Sequence, residues 1–242
     1  MEDNKYRLVT LTNFAYMELT ENCIQSLINI KVSLSEIIIY AMDEQSYYYF
    51  KEKYPTIDVK LNDYINASEQ KFMKGDWNTL TMQKINIICK ELHNYKYLIL
   101  FDGDIVFNKI DFKDFLLNKM ETNMDLDLLA QHEFNNAKNK YNNSDRICSG
   151  FYIVRSNDIT KKCFNAEGCL INKKHLKNDQ DYLNDVKRHL KWQLLPNDLF
   201  PNGKYYYEFN NSKEDAYIIH FNFLIGTNAK KNKMKNYGKW FL

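Results

Sequence analysis

Glycine and proline are scarce in this chain, whose 242 residues include 7 glycines and 3 prolines. That scarcity excludes collagen-like architectures and low-complexity segments rich in either residue. Apolar residues make up 45% of the sequence and aromatic residues 15%, which suits one well-packed core and excludes a disordered chain. Neither an internal repeat nor a linker divides the sequence, so we expect one domain.

Long hydrophobic runs and an excess of one charge are also missing. No apolar stretch reaches the roughly 18 residues that a transmembrane helix needs, so no membrane span is expected. The charged N-terminus has no apolar segment behind it, and no leader peptide is expected either. The formal net charge is only +2, from 33 basic and 31 acidic residues, so the chain is not expected to bind nucleic acid or an anionic membrane.

The cysteines lack the spacing of a metal site, and their odd number prevents complete pairing in disulfides. They are Cys23, Cys89, Cys148, Cys163 and Cys169. A reducing compartment suits this usage best, and we therefore expect a cytoplasmic protein.

Six short apolar runs have the length and composition of β-strands. They are Arg7–Leu11, Glu36–Ala41, Tyr97–Phe101, Asp127–Ala130, Phe151–Arg155 and Ala216–Phe221. Helical patterns separate several of them, for instance at Glu21–Ile30 and Thr79–His93. This alternation predicts an α/β domain with a mainly parallel central sheet flanked by helices. The polar stretches 134–146 and 164–178 are predicted to be long loops or an irregular subdomain.

Two aspartates, one residue apart, follow the most apolar of these runs. Asp102 and Asp104 come directly after Tyr97–Phe101, where a buried and uncompensated charge would be costly. Residues i and i+2 of an extended segment point to the same side, so both carboxylates can bind one divalent cation. Gly103 between them leaves room for a ligand to approach the backbone. The same residues also suit a solvated turn, because Asp-Gly is a common turn pair.

A histidine and a basic segment later in the chain can complete such a site. His220 ends the apolar run 217–219, and its imidazole would be a third ligand for Mg²⁺ or Mn²⁺. A lone histidine at a strand end is also often an ordinary hydrogen-bonded residue. Gly226, Lys230 and Lys231 follow, and a basic loop of this kind suits closure over a diphosphate, although a solvated basic tail has the same composition.

Two further positions suit a polar ligand. Lys84 lies among apolar residues of a predicted helix and either extends to solvent or reaches a phosphate or a sugar hydroxyl. Ser149 and Gly150 begin a predicted strand, where small residues would let a sugar approach the backbone closely.

An acidic pair at Asp179 and Asp181 precedes another helical pattern and is expected at the N-terminus of that helix. Capping of the helix accounts for one of the two carboxylates. Gln180, which lies between them, is harder to explain as a cap and can offer an amide oxygen to a reacting centre.

These motifs, taken in order, resemble the metal-dependent nucleotide-diphospho-sugar transferases of the GT-A fold, which is Rossmann-like. The resemblance is strongest to the group of plant arabinosyl- and xylosyltransferases, and more distant to glycogenin and related galactosyltransferases. The resemblance covers most of the chain. The segments that carry the resemblance are Leu100–Val106 (the DxD element), Ser149–Ser156 (the following strand), Asp179–Asp181 (the acceptor side), and His220–Lys230 with Gly238–Trp240 (the metal histidine and diphosphate loop).

The resemblance implies an activity and its cofactor. A sugar would pass from a nucleoside-diphosphate sugar, above all a UDP-sugar, to a hydroxyl group of a glycan or glycoprotein, with retention of the anomeric configuration. Mn²⁺ or Mg²⁺ would be bound by Asp102, Asp104 and His220, and Asp102 would also approach the donor ribose. The nucleotide-binding part would span about residues 1–107 and the acceptor-side part about 108–242.

The resemblance also implies roles for further residues. Those expected to bind the nucleotide sugar are Thr10, Thr12, Asp43, Lys84, Asp102, Gly103, Ser149, Gly150, Gly226, Lys230 and Lys231. The glycine-to-lysine spacing departs from that of glycogenin, so Lys231 and Lys233 remain alternatives to Lys230 as the diphosphate lysine. Catalytic candidates are Asp179, Gln180 and Asp181. Attack on the same face, assisted by the phosphate and Gln180, is expected, and an inverting reaction with either aspartate as base stays open.

Two other functions fit parts of the pattern. The apolar run that ends at Asp102 also fits the nucleophile motif of haloacid-dehalogenase-type phosphohydrolases. That motif usually opens such a chain, whereas here it comes about 100 residues in. The third possibility is a non-catalytic module that binds a nucleotide sugar or a glycan, which the joint presence of Asp102, Asp104 and His220 disfavours.

Overall fold

A computed structural model describes residues 5–62, 66–70, 74–135, 145–165, 178–209 and 215–242. Most of the two predicted long loops, at 136–144 and 166–177, lies outside the described residues. The strands are β1 (Tyr6–Thr12), β2 (Ile37–Ala41), β3 (Asp58–Leu61), β4 (Tyr97–Phe101), β5 (Ile105–Phe107), β6 (Leu128–His132), β7 (Ile147–Arg155), β8 (Trp192–Leu194) and β9 (Ile218–His220). The α-helices are α1 (Met17–Asn29), α2 (Glu44–Lys53), α3 (Trp77–Glu91), α4 (Phe112–Thr122), α5 (Asp158–Cys163), α6 (Asp179–Val186), α7 (Gly203–Glu208) and α8 (Thr227–Asn236).

Seven strands form the central sheet, in the order β3-β2-β1-β4-β7-β6-β8. The neighbouring pairs β3–β2, β2–β1 and β1–β4 are parallel, and so is the pair β6–β8. β7 runs antiparallel to both β4 and β6. The predicted mainly parallel, Rossmann-like sheet is confirmed, with β7 as a reversed strand in its middle.

Alternate residues of the central strands face two different hydrophobic layers. Leu8 and Ile99 pack in one layer with α1, α2 and α4, whereas Val9 and Leu100 pack in the other with α3 and α6. A strand that is covered by helices on both faces needs apolar residues throughout. This double burial explains why β4 has an uninterrupted apolar sequence.

The ends of several elements differ from the prediction. The two predicted helices are present as α1 and α3, and both begin earlier than expected. The last predicted strand is shortened to β9, which pairs with β5 in a separate two-stranded sheet. The short strands β3, β5 and β8 were not predicted, because three or four residues are too few to produce a recognisable pattern. None of the helices in the described ranges combines the length and the apolar character that a bilayer crossing requires.

Arg155, at the end of β7, is buried and bonds to groups near the C-terminal end of α4. Its guanidinium donates hydrogen bonds to the carbonyl oxygens of Leu126 at 2.8 Å and Asn123 at 3.1 Å, and to the Tyr97 hydroxyl at 3.0 Å. We expect Arg155→Lys to lower the free energy of unfolding by about 2 kcal/mol, because an ammonium group cannot reproduce this fork of donors. Urea unfolding measures the loss. The control Arg188→Lys, at an exposed position, should change stability by less than about 0.5 kcal/mol, and equal losses would contradict the argument.

Candidate active site

A cavity of about 1160 Å³ opens at the edge of the central sheet where β1 and β4 end. Because β7 runs in the opposite direction, its first residues reach the same edge. The carboxyl ends of parallel strands are the usual ligand position in open α/β sheets. The predicted site residues that line this cavity are Thr12, Lys84, Asp102, Gly103, Asp104, Ser149, Gly150, Asp179, Gln180, Asp181, His220, Gly226 and Lys230.

Three predicted site residues are not part of the cavity lining. The Asp43 carboxylate caps α2 by accepting a hydrogen bond from the backbone N–H of Ser46 at 2.8 Å. Thr10 is buried within β1. Lys231 forms an ion pair with Glu18 at 2.6 Å. The structure therefore does not bring these three side chains together with the rest.

The small sheet of β5 and β9 brings the predicted metal ligands together. The two strands pair antiparallel, with Ile105 opposite His220. Asp104 directly precedes β5, and its carbonyl oxygen accepts a hydrogen bond from the backbone N–H of Phe221 at 2.9 Å. Backbone pairing thus sets the histidine beside the DxD element, although the two are far apart in the sequence.

One oxygen of each DxD carboxylate faces the imidazole of His220. The Nε2 atom lies 3.2 Å from Asp104 Oδ1 and 3.8 Å from Asp102 Oδ2. The three side chains can each offer one ligand atom, with all three atoms within 4.8 Å of one another. Two carboxylate oxygens and an imidazole nitrogen form a donor set that fits Mn²⁺ or Mg²⁺.

Lysines bind the other oxygen of each carboxylate. Lys84 Nζ lies 2.5 Å from Asp102 Oδ1, and Lys230 Nζ lies 2.7 Å from Asp104 Oδ2. Lys84 also contacts Asp179 Oδ2 at 2.9 Å, so this lysine of α3 extends inward and not to solvent. Each DxD carboxylate is therefore held through one oxygen by a lysine, while its second oxygen remains on the side of the imidazole.

These contacts shift the pKa values of the groups involved. Burial disfavours charge on His220, but the adjacent Asp104 carboxylate outweighs burial and raises the pKa of His220 to about 10. Burial likewise opposes ionisation of Asp104, yet Lys230 and His220 together hold its pKa well below the usual range. The pKa of Lys84 is raised, because its two carboxylate partners outweigh burial. In the metal-free protein, the imidazole and both lysines are therefore charged at neutral pH.

The predicted acceptor-side motif forms the first turn of α6, with Asn178 as its N-cap. Asn178 Oδ1 accepts a hydrogen bond from the Asp181 backbone N–H at 2.9 Å, and the Asp181 carboxylate pairs with Arg146 at 3.1 Å. Gln180 Oε1 accepts a hydrogen bond from the backbone N–H of Ser149 at 3.3 Å, which links α6 to β7. Both aspartates of the motif are ion-paired, since the first of them binds the lysine of α3.

Gly150 lies directly against the imidazole of His220. A Cβ atom built on this glycine would lie 2.0 Å from the Cε1 atom of His220, far inside van der Waals contact. The backbone of Gly150 also accepts a hydrogen bond from the Asp102 N–H at 2.8 Å. Glycine is therefore required here by the close approach of the imidazole, a reason that the sequence did not reveal.

Several residues of the cavity were not anticipated from the sequence. They include Asn13, Tyr16, Trp77, Glu133, Arg146, Cys148, Asn222 and Phe223. Asn13 and Tyr16 could have been found from their position directly after β1, at the same sheet edge as Asp102. No sequence signal points to Arg146, because it belongs to no motif, whereas Asn222 and Phe223 lie within the predicted segment His220–Lys230 but were not singled out in it.

A mainly parallel sheet with an acidic pair at its carboxyl edge, next to a histidine and two lysines, defines a glycosyltransferase domain of the GT-A fold. Residues 32–234 match the family of nucleotide-diphospho-sugar transferases, and the chain belongs to that family. The predicted family and fold are thereby confirmed. The match selects the transferase over the phosphohydrolase alternative.

Individual relatives agree with this assignment. The UDP-galactose:fucoside alpha-3-galactosyltransferase of Dictyostelium discoideum is 25% identical across 98% of this chain and 43% of its own length, so the chain spans less than half of that protein. The bifunctional glycosyltransferase WbbM aligns with 98% of this chain and 52% of its own, with a TM-score of 0.61 and 12% identity. The galactosyltransferase LgtC, solved with donor and acceptor sugar analogs, aligns with 98% of this chain and 96% of its own, with a TM-score of 0.59 and 10% identity. At such identities the two solved structures support the fold alone.

We expect Mn²⁺ binding to release a proton from His220. The imidazole is protonated at neutral pH in the metal-free protein, because its pKa is raised to about 10, and Nε2 must lose its proton to coordinate an ion. The affinity for Mn²⁺ should therefore rise with pH below that value, by at most about tenfold per pH unit. Calorimetry in two buffers of different ionisation enthalpy counts the protons released. The His220→Asn variant should release no proton when it binds Mn²⁺. A number of released protons equal to that of the wild type would contradict the assignment.

Gly150→Ala is expected to weaken Mn²⁺ binding, because the added methyl group must displace the imidazole of His220. We expect a rise in the dissociation constant of about 10- to 100-fold, measured by calorimetry, with circular dichroism to verify the fold. Ser149→Ala is the matched control, since it keeps the backbone N–H that bonds to Gln180 and adds no atom near the imidazole. Wild-type affinity in a folded Gly150→Ala variant would refute the packing argument.

Proposed function

We propose that this chain transfers a monosaccharide from a UDP-sugar to a hydroxyl group of a glycan or glycoprotein, with retention of the anomeric configuration and with Mn²⁺ or Mg²⁺ bound. The observation that carries the proposal is the convergence of Asp102 Oδ2, Asp104 Oδ1 and His220 Nε2 at the end of β4. In a member of this family, such a donor set suits the ion that binds a diphosphate. The name of the Dictyostelium relative specifies UDP-galactose and a fucoside, which are therefore the first donor and acceptor to test.

The charges at the cavity floor support binding of a diphosphate. Three carboxylates face Lys84, Lys230 and the protonated imidazole of His220 in the metal-free protein. Exchange of the imidazole proton for a divalent ion leaves this cluster with an excess of positive charge, which attracts an anionic donor. A bound ion would act there as a Lewis acid that stabilises the departing diphosphate.

Lys230 is the best supported of the three candidate diphosphate lysines. Its Nζ atom contacts Asp104 and lines the cavity. Lys231 is engaged by Glu18, and Lys233 lies over the ring of Tyr207, 4.5 Å from the centroid. A cation beside the DxD element can stabilise charge that develops on the departing phosphate.

We assign the proton of the acceptor hydroxyl to the leaving diphosphate. The hydroxyl oxygen bonds to the anomeric carbon on the face from which the diphosphate departs, the carbon–oxygen bond to the diphosphate breaks, and the proton passes to a diphosphate oxygen. Asp179 and Asp181 are both held in ion pairs, which argues against either as a free base or nucleophile. Gln180 lines the cavity between them, where its amide would orient a sugar hydroxyl.

The two halves of the chain, at about residues 1–107 and 108–242, would bind mainly the nucleotide and the acceptor respectively, with His220 and Lys230 of the second half also serving the donor diphosphate. The first part contributes apolar and aromatic groups to the cavity, which suit a nucleotide base, including Leu11, Tyr16 and Trp77. The second part contributes charged groups, which suit the hydroxyl groups of an acceptor, including Glu133, Arg146 and Arg188. The residues that line the cavity support this division.

We expect Asp104→Asn to lower kcat/KM for transfer by at least about 100-fold, because it removes a charge from the proposed ion site and from the ion pair with Lys230. The assay follows UDP release from UDP-galactose in the presence of Mn²⁺ and a fucoside. Asp125→Asn is the matched control, since this exposed aspartate pairs only at the surface, with Lys191. EDTA should abolish turnover, and added Mn²⁺ should restore it.

Proton NMR of the first product reports its anomeric configuration. An α-linked product from the α-configured donor is expected, and a β-linked product would contradict the retaining mechanism. Tight binding of UDP with no turnover of any UDP-sugar would contradict the transferase proposal and favour the non-catalytic module. Full activity in the presence of EDTA would contradict the role of the ion.

A further inference from the structure

Gln131, near the end of β6, lies on the side of the His220 imidazole that faces away from the acidic pair. Its Oε1 atom is 2.7 Å from Nδ1 of His220, whereas Nε2 of the same ring faces Asp104. The Gln131 side chain is completely buried, and buried amide groups are nearly always hydrogen-bonded. The two nitrogens of the imidazole are therefore in contact with two different polar groups.

The orientation of the Gln131 amide is set by a backbone carbonyl. Its Nε2 atom donates a hydrogen bond to the carbonyl oxygen of Phe200 at 3.1 Å. Turning the amide over would bring Oε1 against that carbonyl oxygen, and two acceptors cannot bond to each other. Oε1 must therefore face His220, and the proton between the two side chains must be on Nδ1. Cys148 Sγ contacts the same nitrogen at 3.7 Å, a longer and weaker contact.

An irregularity in the central sheet aims Gln131 at the imidazole. The pairing of β6 with β7 is regular up to Ala130 and then shifts, so that Gln131 lies opposite Cys148. The segment Ser149–Phe151 of β7 is left without a register partner on β6, and it is this segment that sets Gly150 against the imidazole. Bulges beside active sites commonly re-aim a side chain in this way.

We propose that Gln131 is a positioning residue, which selects the tautomer of neutral His220 that can bind the ion. By accepting the Nδ1 proton, it keeps the Nε2 lone pair directed at the oxygens of Asp102 and Asp104. An imidazole without this acceptor can carry its single proton on Nε2 instead, where it blocks coordination. The inference rests on the proposed function, because it requires that these three side chains bind Mn²⁺ or Mg²⁺.

Titration of the full chain with Mn²⁺, followed by electron paramagnetic resonance without nucleotide or acceptor, tests the proposal. Gln131→Met preserves length but removes the acceptor, and we expect its dissociation constant to rise by about 10- to 100-fold. Gln131→Glu again offers an oxygen to Nδ1 and should recover part of the affinity, with a residual loss because its second oxygen cannot donate to the Phe200 carbonyl. Gln193→Met, at an exposed position on β8, is the matched control and should bind as the wild type does. Wild-type affinity in Gln131→Met would overturn the proposal.

A second measurement separates positioning from a general effect on the fold. In a His220→Asn background the ring is absent, so Gln131→Met should cause no further loss of Mn²⁺ affinity. An equal loss in both backgrounds would overturn the proposal. If Gln131→Met does not fold, the wild type saturated with Mg²⁺ provides the test by nitrogen-15 NMR. A slowly exchanging Nδ1 proton on His220 is expected, and an ion bound to Nδ1 would overturn the proposal.

The outcomes distinguish this inference from the proposed function. If Mn²⁺ binding depends on Gln131 but no sugar is transferred, only the proposed transfer reaction is refuted. Sugar transfer with Mn²⁺ binding that is indifferent to Gln131 would refute only the positioning role. A wild type that does not bind Mn²⁺ would refute both.

Discussion

Asp102, Asp104 and Asp179 bring three negative charges to one edge of the sheet, and the carboxylates of Asp104 and Asp179 are buried there. The compensating cations come from three parts of the fold. Lys84 of α3 binds both Asp102 and Asp179, whereas Lys230 of α8 and the imidazole of His220 of β9 contact Asp104. A buried carboxylate that loses its partner destabilises a protein by about 3–5 kcal/mol. Charge compensation therefore joins three separate elements to the end of β4, and the shape of the cavity depends on it.

The same contacts prepare the site for its ligands. Each DxD carboxylate is oriented by a lysine through one oxygen and directs the other toward the imidazole, so the proposed ligand atoms lie close together before any ion binds. Groups held in this way need little rearrangement on binding, which increases affinity. Gln131 holds the opposite side of the His220 ring, because its side chain bonds both to Nδ1 of that ring and to the carbonyl oxygen of Phe200. Packing of Gly150 against the ring limits its movement further.

Elements with a continuous or periodic apolar pattern were predictable, and irregular ones were not. β4 matches its prediction at both ends, since a strand buried on both faces must be apolar throughout. The apolar run that predicts β7 begins only at Phe151, and Ser149 and Gly150 were placed at the start of the strand as small residues. The strand itself begins at Ile147, and its first part gives no apolar signal because Ser149 and Gly150 belong to the irregular part that faces the cavity. β3 lies at the sheet edge and lacks buried residues, so its four residues give no strand signal. A local sequence pattern indicates which residues are buried in the core. It gives little strand signal where the residues of a strand face a functional site instead.

The sequence by itself determined the chemistry that is available: a paired carboxylate after a buried strand, a histidine at the end of another, and a basic segment beyond it. These features are local, because residue type and apolar spacing decide them. Only the tertiary structure decided which groups meet. The pairing of β5 with β9 brings His220 to Asp104, Lys84 turns inward to two carboxylates, and Asp43 is used as a helix cap. Partner choice depends on contacts between residues far apart in the chain, and no pattern within one segment contains that information.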